Sequence, residues 1–174
     1  MKVFWCALFT VMCLFSSVPS FGLGMEVDPV EIVLENCPLG EKVLVSNLGG
    51  SEMTLRIQNK APVDYTYTIG VLSSSDGNSS LKHGYMDIPE VSWIIPESKE
   101  VRVPANSTAE TELYINVPDR EEYGGKKYQA VIEVKSKKNN AKDIFVLAVQ
   151  IGMRFSTQPS KSDLDTTVIS GGLK

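Results

Sequence analysis

Apolar side chains recur at every second position along most of this chain. Val30, Ile32 and Leu34 alternate with Glu31 and Glu35. Met53, Leu55 and Ile57 alternate with Glu52, Thr54, Arg56 and Gln58. The same pattern runs through Val63, Tyr65, Tyr67, Ile69 and Val71, then Val101 and Val103, then Leu113, Ile115 and Val117. It returns in Tyr128, Ala130, Ile132 and Val134. Successive strand side chains point to opposite faces, so each set lines one face of a half-buried strand. A helical stripe needs spacings of three and four, and none of convincing length occurs. Residues 144–151 differ, being apolar on both faces. They read as a central or partner-covered strand. An open edge there would invite aggregation, so an unpaired edge is not expected.

Turn chemistry separates the runs: Asn47-Leu48-Gly49-Gly50, Asn59-Lys60-Ala61-Pro62, the polar stretch 73–80, Pro104-Ala105-Asn106-Ser107, Pro118-Asp119 and Gly124-Gly125. Residues 137–142 read as a hairpin loop between the last two strands. The expected fold is all-β, an immunoglobulin-like two-sheet sandwich of about seven antiparallel strands.

The amino terminus sets the compartment. Met1-Lys2 is followed by an apolar run over 3–15, then a small and polar stretch over 16–24 with Pro19. That order is a signal peptide, and the run is short of the roughly 20 residues that span a bilayer. Cleavage is expected in the region 22–24. Cys13 follows Met12 inside the apolar run, which argues against a lipid anchor, and no later run is long enough for a transmembrane anchor. The expected organisation is signal peptide 1–24, sandwich 25–155 and flexible tail 156–174, in a secreted or periplasmic protein of the cell envelope.

Loss of the leader removes Cys6 and Cys13 from the 3 cysteines, leaving Cys37. One cysteine makes neither an internal disulfide nor a Cys-rich metal site. Cys37 reads as a small buried hydrophobe at a strand end, the alternatives being an intermolecular disulfide or a reactive thiol. The formal charge of −4 becomes −5 once Lys2 is lost, which disfavours nucleic acid as a partner.

Catalytic chemistry finds no constellation. His83 is the single histidine of the chain, set in a polar loop, and no G-x-S-x-G elbow exists. A Cys37–His83 pair is a poor nucleophile candidate. Asp76-Gly77-Asn78 lacks the full calcium-loop spacing, and Asp119, Glu121 and Glu122 read as a solvated acidic turn. No enzyme activity and no cofactor are expected. Trp93 reads as a packing aromatic before a ligand platform. Asn78-Ser79-Ser80 and Asn106-Ser107-Thr108 match the N-glycosylation pattern, which also arises by chance. Lysines 126, 127, 135, 137, 138 and 142 cluster around one hairpin in the sequence. Lys137, Lys138 and Lys142 are the candidate docking patch for an acidic partner or anionic polymer, against the alternative of a solvated loop.

One stretch is more specific than strand periodicity. Trp93 is followed by Val101-Arg102-Val103-Pro104-Ala105-Asn106-Ser107. Then come Ile115-Asn116-Val117-Pro118 and Gly124-Gly125 before Tyr128, with Asn59 closing an earlier strand. This pattern resembles bacterial extracytoplasmic immunoglobulin-like sandwiches. It is similar to modules of surface proteins that interact with WxL-domain partners, and loosely similar to the amino-terminal domain of periplasmic pilus chaperones. The resemblance implies a non-enzymatic envelope protein for adhesion, scaffolding or surface or pilus assembly. Its partner would be another envelope protein or a cell-wall polymer. The alternative is a periplasmic assembly chaperone that adds a strand to a client subunit.

Overall fold

Residues 24–50, 53–137 and 146–160 are described by a computed structural model. Among them twelve strands form: β1 Met25–Asp28, β2 Glu31–Cys37, β3 Lys42–Leu44, β4 Leu55–Asn59, β5 Tyr65–Ser73, β6 Met86–Asp87, β7 Ile94–Pro96, β8 Glu100–Val103, β9 Ser107–Thr111, β10 Leu113–Asn116, β11 Lys127–Ser136 and β12 Ala148–Thr157. One short helix, α1 Val45–Gly49, occupies the Asn47-to-Gly50 region expected as a turn. The strands absent from the sequence reading are β1, β3, β6, β7 and β9. They are two to five residues long, too short for a period of two to stand out.

The protein is an all-β sandwich. One layer has the strand order β2-β12-β11-β5-β8, with β6 beside the start of β11. The other layer is built from β1-β4-β9 and β3-β10-β7. Those two small sheets share one chain path, because β9 and β10 are separated by Glu112 alone. Two pairings are parallel, β2 with β12 and β6 with β11, where antiparallel strands were expected. β2 and β12 come from opposite ends of the domain, so no hairpin dictates their direction.

The inward sets meet as the alternation requires. Ile32 and Leu34 of β2, Ile151, Met153 and Phe155 of β12, and Ala130, Ile132 and Val134 of β11 are buried against Leu55, Ile57, Leu113 and Ile115. Trp93 is buried too. Its ring packs edge-on against Tyr123 at 4.8 Å and Tyr128 at 5.2 Å. Cys37 is fully buried at the end of β2, as a small apolar residue would be.

The last strand departs from expectation at both ends. It starts at Ala148, and of the apolar stretch 144–151 residues 144 and 145 lie outside the described residues. It also passes the boundary expected after Phe155. Thr157 is still in the ladder opposite Cys37, and Ser160 is buried against Gly124. Thr157 Oγ1 donates to the Tyr123 carbonyl at 2.6 Å and accepts the Lys126 N–H at 3.0 Å. A polar side chain hid this continuation, since Ser and Thr in sequence read as tail.

Candidate functional site

β12 sits inside its sheet for only part of its length. β11 flanks it from Ala148 to Ser156. β2 joins on the other side at Gly152 and continues to Thr157. β1, which precedes β2, belongs to the opposite layer and pairs with β4. The first half of β12 therefore has no ladder partner on its β2 side among the described residues. Of the two readings of the apolar stretch, a central strand applies only from Gly152 onward among the described residues.

The backbone direction follows from three hydrogen bonds. Leu147 O accepts from Ser136 N at 2.8 Å, and Thr157 N donates to Lys126 O at 2.9 Å, both toward β11. Gln158 N donates to Cys37 O at 3.0 Å, toward β2. In a regular strand the peptide groups of alternate residues face the same neighbour. Odd-numbered residues thus face β11, and Ala148 and Gln150 turn their N–H and C=O outward. The side chains add apolar surface. Val146 is 47% exposed, Ala148 is exposed, and Leu147 and Val149 are half-buried at the end of the core.

Other edges are guarded. β2 carries Glu31 and Glu35 and an extra residue near Asn36, whose φ is 55°. β8 carries Glu100 and Arg102 and runs into Pro104. β1 has Glu26 and Asp28, β3 has Lys42, β7 ends in Pro96, and β9 has Glu110. Charges and prolines at sheet rims are the usual protection against edge-to-edge pairing. Residues 146–150, Val-Leu-Ala-Val-Gln, have neither.

Further along the same strand, Arg154 projects from the outer face. Its Nη2 lies 2.8 Å from Glu31 Oε2, and its guanidinium carbon lies 5.5 Å from the Tyr85 ring centre. Lys127 Nζ stands 5.9 Å from the same ring. The Arg154 Nε is buried and has no hydrogen-bond acceptor among the described residues. Val33, opposite Arg154 in the register, is exposed beside it. The result is a cationic and aromatic patch beyond the open half of the edge.

The lysine patch takes a different form from its sequence. Lys137 Nζ is held by both carboxylate oxygens of Glu100, at 2.8 and 3.0 Å, and its N–H donates to Thr66 O. It ties the end of β11 to β5 and β8. Lys138 and Lys142 lie outside the described residues. Lys135 pairs with Glu133. Lys126 and Lys127 lie at the opposite end of β11, about 30 Å away along a ten-residue strand.

The remaining candidates are separate from one another. His83 is exposed in its loop. Burial pushes the Cys37 thiol up to about 12, against a smaller opposing backbone hydrogen bond. A thiol so raised stays protonated and unreactive at neutral pH. Asp76 Oδ2 accepts from Ser73 Oγ within its turn. Asp119 and Glu121 line an open groove of about 540 Å³ with Leu39, Glu41 and Ser160. Glu122 faces Arg120 at 3.6 Å.

Two residues escaped the sequence reading. Gln129 occupies an outward position on β11 yet is 4% exposed, because the loop after β5 folds over it. Its Oε1 accepts from Lys82 N at 3.0 Å, and its Nε2 donates to Ser80 O at 3.0 Å. Asp87 caps the start of that loop by accepting from Ser74 N and Ser75 N. Gly77 in the same loop presses on Val131, where a Cβ would come within 2.9 Å.

No protein-family model matches the chain, and no curated protein matches it. Solved structures do. The chain is similar to the ASH/PapD-like domain 7 of human CEP192, with 7% identity and a TM-score of 0.56, over 80% of this chain and 88% of that one. It is similar to a chain of the CsuC–CsuE chaperone–tip adhesion subunit pre-assembly complex from archaic chaperone-usher Csu pili of Acinetobacter baumannii. There the identity is 17% and the TM-score 0.51, over 78% of this chain and 52% of that one. A chain of the complex of Salmonella enterica SafA pilin with the SafB chaperone gives 10% identity and a TM-score of 0.50, over 80% and 56%. The chain spans about half the length of the matched chains from these two chaperone complexes. At such identities the likeness establishes the PapD-like, immunoglobulin-like fold. Among the described residues no helix is long and apolar enough to cross a membrane.

Proposed function

We propose that this chain is an exported, non-enzymatic assembly chaperone that holds a client subunit by strand addition along the open half of β12. The observation that carries the reading is the unguarded edge at 146–150, with the peptide groups of Ala148 and Gln150 facing outward. An extended client segment gains main-chain hydrogen bonds there, and Leu147 and Val149 offer apolar contact beside the core. The fold likeness to chains of chaperone–subunit complexes supports the same reading. The leader-like amino terminus supports export. A wall-polymer role loses ground, because Lys137 is already occupied by Glu100.

Gln150→Pro tests it. By the alternation above the Gln150 N–H points away from β11, and no β2 residue pairs with it among the described residues, so a proline there should keep the fold while blocking a client ladder. A photo-crosslinking residue at Ala148 is expected to capture one exported protein in envelope extracts. The same residue at Arg102, on the guarded β8 edge, is expected to capture none. Recovery of that client should fall by about tenfold or more in Gln150→Pro, the factor that about 1.4 kcal/mol represents. Equal capture at both positions, or no loss with the proline, would overturn the proposal.

A further inference from the structure

The polar loop after β5 is exposed, yet the sheet holds it in place. Residues 74–78 form a turn, and 79–82 run on without regular structure. Gln129 of β11 accepts from Lys82 N and donates to Ser80 O, and Gly77 packs on Val131. Asp76, Asn78 and Ser80 are exposed on this fixed base. We infer that Asn78 is a glycan acceptor, modified after export by an enzyme that uses an oligosaccharide carried on a polyprenyl diphosphate. The side-chain nitrogen of Asn78 attacks the anomeric carbon of the first sugar. A C–N bond forms, the anomeric C–O bond to the carrier breaks, and the lipid diphosphate leaves. The nitrogen gives one proton to a base of the enzyme, and nothing is oxidised or reduced.

Asn78-Ser79-Ser80 meets the acceptor triplet, and Asp76 lies two residues before it. In an extended segment alternate side chains share one side. An enzyme groove would therefore meet a carboxylate, the acceptor amide and a hydroxyl together, from Asp76, Asn78 and Ser80. Asn106-Ser107-Thr108 meets the triplet as well. Asn106 is exposed, and its φ of 51° is close to the 50° of Asn78. It differs in two respects. Position 104 is proline in place of a carboxylate, and Thr108 is fixed in the β4–β9 ladder opposite Gln58. Thr108 can leave for an enzyme only by opening that pairing, whereas Ser80 belongs to no strand. The structure thus favours Asn78 over Asn106 on the folded chain. The loop lies over Gln129 and Val131, which stand opposite Arg154 and Gly152. That is past the open half of β12, so the inference does not depend on whether a client binds at 146–150.

Mass spectrometry of the mature chain, recovered from the envelope of the cells that export it, tests the inference. The intact mass should exceed that of the polypeptide by an oligosaccharide, and peptide fragmentation should place it on Asn78. Aspartate tolerates the same left-handed backbone, so Asn78→Asp should lose the added mass and Asn106→Asp should keep it. Ser80→Ala should lose it with Asn78 still present, and Ser80→Thr should retain it, which separates a missing hydroxyl from a misfolded loop. Asp76→Ala should lower the occupancy severalfold. A bare polypeptide mass overturns the inference, as does a glycan at Asn106 alone or full occupancy in Ser80→Ala or Asp76→Ala. A glycosylated chain that captures no client at Ala148 removes the chaperone reading and leaves the glycan standing. A bare chain that captures one does the reverse.

Discussion

Asn59 Nδ2 donates to the carbonyl oxygen of Val103 at 3.2 Å, joining the end of β4 to the end of β8 in a fully buried site. The same amide lies 2.8 Å from Val63 O and 3.1 Å from Pro104 O, and its Oδ1 accepts the Ala61 N–H at 3.0 Å. One side chain thus serves the turn from β4 into β5 and the turn out of β8 toward β9, both of which cross between the layers. Asn59→Ala should cost about 3 kcal/mol in denaturant unfolding, because buried carbonyls and an amide lose their partner. Asn59→Asp separates the hydrogen bonds from the volume. Its carboxylate would face three carbonyl oxygens, so its pKa in the folded state rises. The penalty should therefore be smallest below the unfolded aspartate pKa, about 3.9, and grow as pH rises above it.

Much of this architecture was legible because strand alternation is a local signal. Ile32, Tyr67, Ile115 and Ile132 fell inward as their spacing required. Asn59 was visible as a strand terminator, yet its partners 44 and 45 positions away were not. The candidate site was hidden for a related reason. Residues 144–151 look like any buried strand in sequence, and whether a neighbour covers them depends on where β2 begins its pairing. That point is set by β1 belonging to the other sheet, a long-range fact. Gln129 shows the converse, a polar residue at an outward position that a loop later buries.

Asp87 fastens that loop. Burial alone would raise its pKa, but N–H groups of Ser74, Ser75 and Ile88 offset this and hold the carboxyl below its ordinary range. A lowered folded-state pKa contributes stability above the unfolded value, about 3.9, which is lost as pH falls through the folded value. Asp87→Ala should cost about 1–2 kcal/mol at neutral pH, as loss of a capping carboxylate does. It should also reduce the steepness of acid unfolding below pH about 4. Amide exchange should quicken at Ser74 and Ser75 before it does in β11.

Gly124 is kept small by Ser160. A Cβ at position 124 would lie 2.6 Å from Ser160 N and 2.7 Å from Ser160 Cβ, contacts that backbone cannot relieve cheaply. Its φ of −72° is ordinary, so Gly124→Ala tests packing alone. The expected loss is about 1–3 kcal/mol. Gly125, with φ of 62°, tests conformation instead, and Gly125→Ala should cost about 1 kcal/mol. Thermal unfolding of both variants distinguishes the causes. Displacement of the segment after β12 should loosen position 160 in Gly124→Ala and leave it in place in Gly125→Ala.

Trp93 carries two opposing contributions. Its ring is 2% exposed and packs against Tyr123 and Tyr128, so truncation to Ala should cost about 3–5 kcal/mol. Its Nε1, however, is buried with no hydrogen-bond acceptor among the described residues, which penalises the folded state. Trp93→Phe removes that unpaired donor while keeping an aromatic ring between the two tyrosines. The loss of packed volume and the relief of the donor then act in opposite directions. The net cost should be under about 1.5 kcal/mol, well below that of Trp93→Ala. Urea unfolding of both variants, followed by far-ultraviolet dichroism because the fluorophore is removed, gives the two values. Similar losses for Phe and Ala would mean that the indole N–H has a partner after all.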